Sequence, residues 1–173
     1  MPMIRAALVG LVLIVGLAVP TSAQETSTVV YLVRHAEKQD DGTSDPALNA
    51  AGIERVELLD QMLRDAGLTH VHSTDFKRTQ TTAGPIASRA GLEVSSYDPR
   101  DLPGFATWIR AHPGRHFVAG HSNTTPALVS ALGGEAGSAI EEATEYDRLY
   151  VVTLGRDGTV STVLLRFGVA FQH

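Results

Sequence analysis

Residues Val29 to Lys38 read VVYLVRHAEK. A run of Val, Tyr and Leu at this density suits a strand buried on both faces, of the kind found inside parallel sheets. It stops abruptly at Arg34-His35, a guanidinium beside an imidazole, with Glu37 two residues on. Ligands of open α/β sheets bind just beyond the carboxyl ends of such strands. Arginine there suits a phosphate or carboxylate, because its planar fork can grip two oxygens at once. Alone, an Arg-His pair at a strand end is a weak signal. Its weight depends on whether later segments bring matching groups to the same rim.

Upstream, Arg5 is followed by an apolar run from Ala6 to Val19 and then by Pro20-Thr21-Ser22-Ala23. Fourteen apolar residues fit a signal-peptide core and fall short of the roughly 20 needed to span a bilayer. Residues 1–23 therefore read as a leader peptide and 24–173 as one domain, with the periplasm or the medium as its expected location. The chain has no cysteine, which excludes a disulfide scaffold, a lipoprotein anchor, a thiolate-zinc site and a cysteine nucleophile. Net charge is −5, and loss of Arg5 with the leader would make it −6, so neither nucleic acid nor, after cleavage, an anionic membrane is the expected partner.

Downstream, Asn49 is placed to cap a helix over 50–66 that Gly67 ends, with Ile53, Val56, Leu59, Met62 and Leu63 on its apolar face. A strand over 69–73 runs into Thr74-Asp75, read as capping residues for a helix carrying Arg78, which Gly84-Pro85 should kink and Gly91 end. A third strand over 92–96 precedes a helix marked by Phe105, Trp108 and Ile109, with Trp108 expected in the core. A fourth strand, 115–119, leads to Gly120-His121 and a helix from Pro126 to Leu132. Residues 135–145 are acidic and read as a loop or short helix. Strands 149–154 and 159–167 form a closing hairpin around Gly155–Gly158. The pattern predicts a three-layer α/β/α sandwich with a mainly parallel mixed sheet and a C-terminal β-hairpin.

If the strands ending at Arg34-His35, before Arg78 and at His121 are parallel, two arginines and two histidines meet on one rim. Such a site suits a dianionic phosphoryl group, with a neutral imidazole nitrogen as nucleophile. A carboxylic acid would be needed to protonate the leaving oxygen. His70 and His72 alternate on a strand and face one way, but with no third ligand in view they read as surface residues, and no metal is expected. His112 and His116 flank a Pro-Gly turn and are assigned no role. Glu141, Glu142 and Glu145 read as a solvated face that could border the pocket.

VRHAEK (33–38), SDPALNAAG (44–52), STDFKRTQTTA (73–83) and VAGHSNTTPAL (118–128) together resemble the histidine phosphatase, or phosphoglycerate-mutase-like, superfamily, and its compact phosphohistidine-phosphatase members in particular. The resemblance implies that His35 is phosphorylated during turnover and that Arg34, Arg78 and His121 hold the phosphoryl oxygens, with Asn49 in a supporting role near the phosphate. It implies no cofactor and a small phosphorylated substrate. Two departures stand out: Ala36 replaces the usual glycine, and no segment matches the family's acid. Glu37, Asp98 and Asp101 are candidate donors. The expected activity is phosphomonoester hydrolysis; the alternatives are a phosphohistidine or phosphoprotein phosphatase, a phosphotransferase, or a non-catalytic phosphoryl-ligand binding protein.

Overall fold

The computed structural model describes residues 27–171; the expected leader, residues 1–23, and His173 lie outside the described residues. Six strands alternate with four helices: β1 (Thr28–Arg34), α1 (Ala50–Leu63), β2 (His70–Ser73), α2 (Lys77–Ala90), β3 (Val94–Ser96), α3 (Leu102–Ala111), β4 (Arg115–Gly120), α4 (Thr124–Ala131), β5 (Arg148–Leu154) and β6 (Val160–Arg166). They form one sheet in the order β3-β2-β4-β1-β5-β6. Strands β1 to β4 are parallel, while β5 runs antiparallel to β1 and forms the hairpin with β6. The expected sandwich is the observed one.

Side-chain alternation along β1 divides the core. Val30 and Leu32 pack with Ile109, Leu128 and Leu132 of the α3/α4 layer. Val33 packs with Leu59, Ala83 and Ile86 of the α1/α2 layer. Register then places the chemistry. Arg34 lies opposite Gly120 on β4, and Ser73 of β2 lies opposite Ala119. His35, Thr74 and His121 therefore step off the sheet at one level.

Several local expectations are corrected. Helix α1 ends at Leu63, and Ile53 and Met62 are exposed at 43% and 44%. Arg55 and Asp60 take buried positions instead, because each has an ionic partner: Arg55 forks onto Glu37 and donates to the Phe167 carbonyl at 2.7 Å, and Asp60 receives Arg89. Thr74-Asp75 does not cap α2; Asp45 of the preceding loop takes the Lys77 N–H at 2.9 Å, and Phe76 is the N-cap residue. The helix runs unbroken through Pro85, which sits on the solvent side, where water can serve the carbonyl its missing N–H leaves free. Trp108 is 38% exposed rather than core. Residues 135–145 form a loop without helix or strand.

Candidate active site

His35 leaves β1 with its backbone N–H donated to the Gly120 carbonyl at 2.8 Å. Its Nδ1 lies 2.8 Å from the Ala36 carbonyl. A carbonyl can only accept, so Nδ1 carries the proton and Nε2 keeps its lone pair. The ring is 2% exposed. Burial first, and then the charges of Arg34 and Arg78, push its pKa down to about 3, so the ring is neutral and nucleophilic across the neutral range. Ala36, in the place of the usual glycine, is buried and donates its N–H to Thr82 Oγ1 at 3.1 Å.

His121 follows β4, its N–H held by Thr124 Oγ1 at 2.9 Å. Its Nε2 meets Thr74 Oγ1 at 2.9 Å, Thr74 Oγ1 meets Thr79 Oγ1 at 2.8 Å, and the Thr79 hydroxyl ends on the Phe76 carbonyl at 2.8 Å. Because the last group only accepts, the chain is directional: His121 Nε2–H donates, and Nδ1 is left for the cavity. Burial, followed by Arg78 and Arg34, lowers the His121 pKa to about 4. The His35 and His121 rings meet edge to face, centroids 5.5 Å apart.

The two arginines are held differently. Arg78, in the first turn of α2, lines the cavity, lies over the Phe76 ring at 4.3 Å and reaches Asp45 at 3.5 Å. Arg34 is buried and holds down the loop before β5. Its Nη1 donates to the carbonyls of Glu141 (3.2 Å) and Glu145 (3.0 Å), its Nη2 to that of Glu142 (2.6 Å), and Tyr146 lies 4.0 Å beneath it. In both arginines the Nε is buried without a partner among the described residues. Buried unpaired donors are uncommon and costly. Both cations act on His35 through their charge, and of the two Arg78 lines the cavity while Arg34 lies behind it under the loop at 141–145.

The cavity encloses about 580 Å³ among His35, Lys38, Phe76, Arg78, Arg100 and His121, with Glu142 as the carboxylate on its wall. Glu142 reaches Arg34 Nη2 at 3.3 Å and is hydrogen-bonded by Ser122 Oγ. The three carboxylates considered as proton donors line other surfaces. Glu37 is paired with Arg55 at 2.7 Å, Asp98 with Arg100 at 2.9 Å, and Asp101 caps α3 through the Gly104 N–H at 2.9 Å. Asn49 also does structural work, accepting from Gly52 N–H at 2.9 Å and donating to the Lys38 carbonyl at 3.2 Å. Glu145 is no solvated residue: burial alone would raise its pKa, but hydrogen bonds from Arg148, the Glu141 N–H and Arg166 outweigh it and hold the carboxyl at about 2. Sequence reasoning missed Thr74 and Tyr146 and placed Glu142 only as a bordering residue. The acidic run at 141–145 was the one available signal.

Residues 30–100 match the model of the histidine phosphatase superfamily, branch 1. A curated relative named "Probable phosphoglycerate mutase GpmB", from Yersinia enterocolitica, is 43% identical over 77 residues, 41% of this chain and 35% of its own. The chain thus spans about a third of the length of the curated relatives it matches. Among solved structures, the protein histidine phosphatase SixA complexed with tungstate superposes with a TM-score of 0.64 at 18% identity, covering 80% of this chain and 97% of that one. A mycobacterial glucosyl-3-phosphoglycerate phosphatase gives 0.62 at 14% identity, over 83% and 100%. The motifs lie in order along β1, α2 and β4, this fold carries them to one rim, and over residues 30–100 the chain is similar to the histidine phosphatase superfamily.

Proposed function

We propose that the protein is an exported, metal-independent phosphatase that hydrolyses phosphomonoesters through a phosphohistidine on His35. The observation that carries this reading is the His35 ring: its proton is pinned on Nδ1 by the Ala36 carbonyl, and Nε2 is left free beside two guanidinium groups with unpaired Nε–H donors. In the first step Nε2 attacks phosphorus in line and the P–O bond to the leaving group breaks. Arg78, the Arg34 Nε–H and His121 spread the charge of the transferring group. His121 is neutral in the free protein, so binding a dianion favours protonation at Nδ1, which then donates to a phosphoryl oxygen. Glu142, the carboxylate on the cavity wall, gives its proton to the leaving oxygen and then takes one from the water that attacks the phosphohistidine. Phosphate leaves and His35 returns to its starting tautomer.

The oxyanion tungstate bound to SixA, a protein of the same fold, supports a phosphoryl site at this rim. The apolar run at 6–19 supports export, where scavenging of phosphate or trimming of envelope phosphates would suit the activity. A second reading, hydrolysis of a phosphoramidate such as phosphohistidine, is favoured by one feature. The carboxylate on the cavity wall, Glu142, is engaged by Arg34 and Ser122, and the imidazole of a phosphohistidine leaves with less help from a proton donor than an alkoxide needs.

The test is trapping in alkaline denaturant with a ³²P-labelled aryl phosphate. The wild-type protein should carry acid-labile, base-stable label and release phosphate in the presence of a chelator. His35→Ala should do neither, and turnover surviving in that variant would sink the proposal.

A further inference from the structure

Tyr97 to Asp101 is a wall with a different cavity on each side. Pro99 and Arg100 face the catalytic cavity, while Asp98 and Asp101 line a second one of about 380 Å³. The second cavity has the opposite chemistry. Its walls include the carboxylates of Asp98 and Asp101 and the rings of Tyr97, Phe105 and Trp108, and no lysine or arginine is among the described residues that line it. Its inner wall is His72, 2% exposed.

The hydrogen bonds behind His72 decide what it offers. His116, fully buried, has its Nε2 2.8 Å from the His112 carbonyl. The carbonyl can only accept, so His116 carries its proton on Nε2 and has a lone pair on Nδ1. His72 Nε2 lies 3.2 Å from that lone pair and must be the donor. His72 is therefore protonated on Nε2, and its Nδ1, without a protein partner among the described residues, presents a lone pair. Burial, with the neighbouring imidazoles, keeps the His72 pKa near 3, so the ring stays an acceptor at neutral pH. Behind it His70 and His116 are stacked at 4.4 Å, and among the described residues no group of three His, Cys, Asp or Glu side chains could hold a metal.

The hydroxyl hydrogens of Ser96 and Tyr97 are spent elsewhere, on Asp75 and on the Ala119 carbonyl, so Asp98, Asp101 and His72 offer this cavity acceptors, and much of the remaining surface is aromatic. Phe105 stacks on Tyr97 at 4.4 Å, and the half-exposed Trp108 lies edge-on to His72 at 5.3 Å, leaving ring surface at the mouth. An anion meets acceptors here, and a neutral apolar molecule would desolvate Asp98, which is held from one side by Arg100, and Asp101, whose Oδ1 takes the Gly104 N–H, without offering either a donor. Ammonium N–H groups match both carboxylates and the imidazole lone pair, and aromatic faces attract a cation. We propose that this second cavity is a binding site for a small organic cation, a primary ammonium joined to a planar apolar body.

Trp108 is the single tryptophan of the chain, so intrinsic fluorescence reports this cavity directly. The full chain is titrated with phenethylamine, with 2-phenylethanol as the neutral counterpart and 3-phenylpropionate as the anionic one. The amine should give a saturable change with a Kd of about 1 mM or tighter, the alcohol should bind at least about tenfold more weakly, and the carboxylate should not bind. Asp98→Asn/Asp101→Asn keeps an α3 cap, since asparagine caps as well as aspartate, and should weaken the amine by about tenfold or more. His35→Ala should leave its affinity unchanged, separating this cavity from the catalytic one. An amine that gives no saturable change, or binds no better than the alcohol, overturns the proposal. So does unchanged affinity in the double variant. The comparison of the three ligands on the wild-type protein decides the matter even if that variant folds poorly.

Discussion

Moving the protein from about pH 7.5 to about pH 5.5 should remove at least about 4 kcal/mol of folding stability, the share of its three most deeply buried histidines, with His121 acting in the same direction. His35, His72 and His116 are 2%, 2% and 0% exposed, and burial above all lowers their pKa values to about 3, 3 and 4, from 6.5. A base whose folded pKa lies below its unfolded value binds its proton more readily in the unfolded chain. Stability therefore falls as pH drops below the unfolded value and continues to fall toward the folded one. At about pH 5.5 the unfolded histidine is roughly ten parts protonated to one, which is worth about 1.4 kcal/mol for each of the three. For a domain of this size the melting temperature should fall by on the order of 10 °C. Glu145 does not confuse the window: its depressed pKa of about 2 adds stability that is lost only as pH falls below the ordinary carboxylate value, and so below this window. Urea denaturation at the two pH values, in buffers without phosphate, measures the difference. Unfolding free energies that agree within about 1 kcal/mol would refute the claim that these rings are held neutral in the folded protein.

Replacing Glu142 by Gln should lower kcat/KM on an alkyl phosphate by about a hundredfold while changing kcat/KM on an aryl phosphate far less, because kcat/KM reports transfer to His35 and the aryl oxygen leaves without a proton. Equal losses on the two substrates would make Glu142 a support for Arg34 rather than an acid. Glu37→Ala should destabilise the fold by about 2 kcal/mol, since it strips the partner from Arg55, which is 8% exposed, yet the folded molecules should turn over at close to the wild-type rate. A matching loss of kcat would return Glu37 to the chemistry.

Much of the site was legible because its determinants are local. Alternation in VVYLVR, the Asn49 cap, the Gly91 stop and the Gly155–Gly158 turn each act within a few residues of themselves, and they set where each strand ends. Strand order put His35, Arg78 and His121 around one cavity, as the parallel reading required. Roles that depend on a distant partner were not legible. Nothing near Arg34 in the chain reveals that its guanidinium grips three carbonyls of the loop at 141–145. Likewise, Glu37 looks free beside the nucleophile until α1 brings Arg55 against it.

His72 and His116 show the same limit from the other side. An exposed pair and a buried, directional hydrogen bond look alike in sequence, because only the pairing of β2 with β4 and the packing of α3 decide which one forms. By itself, then, the sequence determined the strand and helix plan and pointed to the nucleophile candidate and to a cationic rim around it, all carried by short-range pattern and residue type. Tertiary structure alone decided which carboxylate meets the cavity beside His35, which arginine holds down the loop before β5, and which imidazole nitrogen carries the proton. Those outcomes rest on burial and on hydrogen bonds between segments up to a hundred residues apart, and distance along the chain says nothing about either.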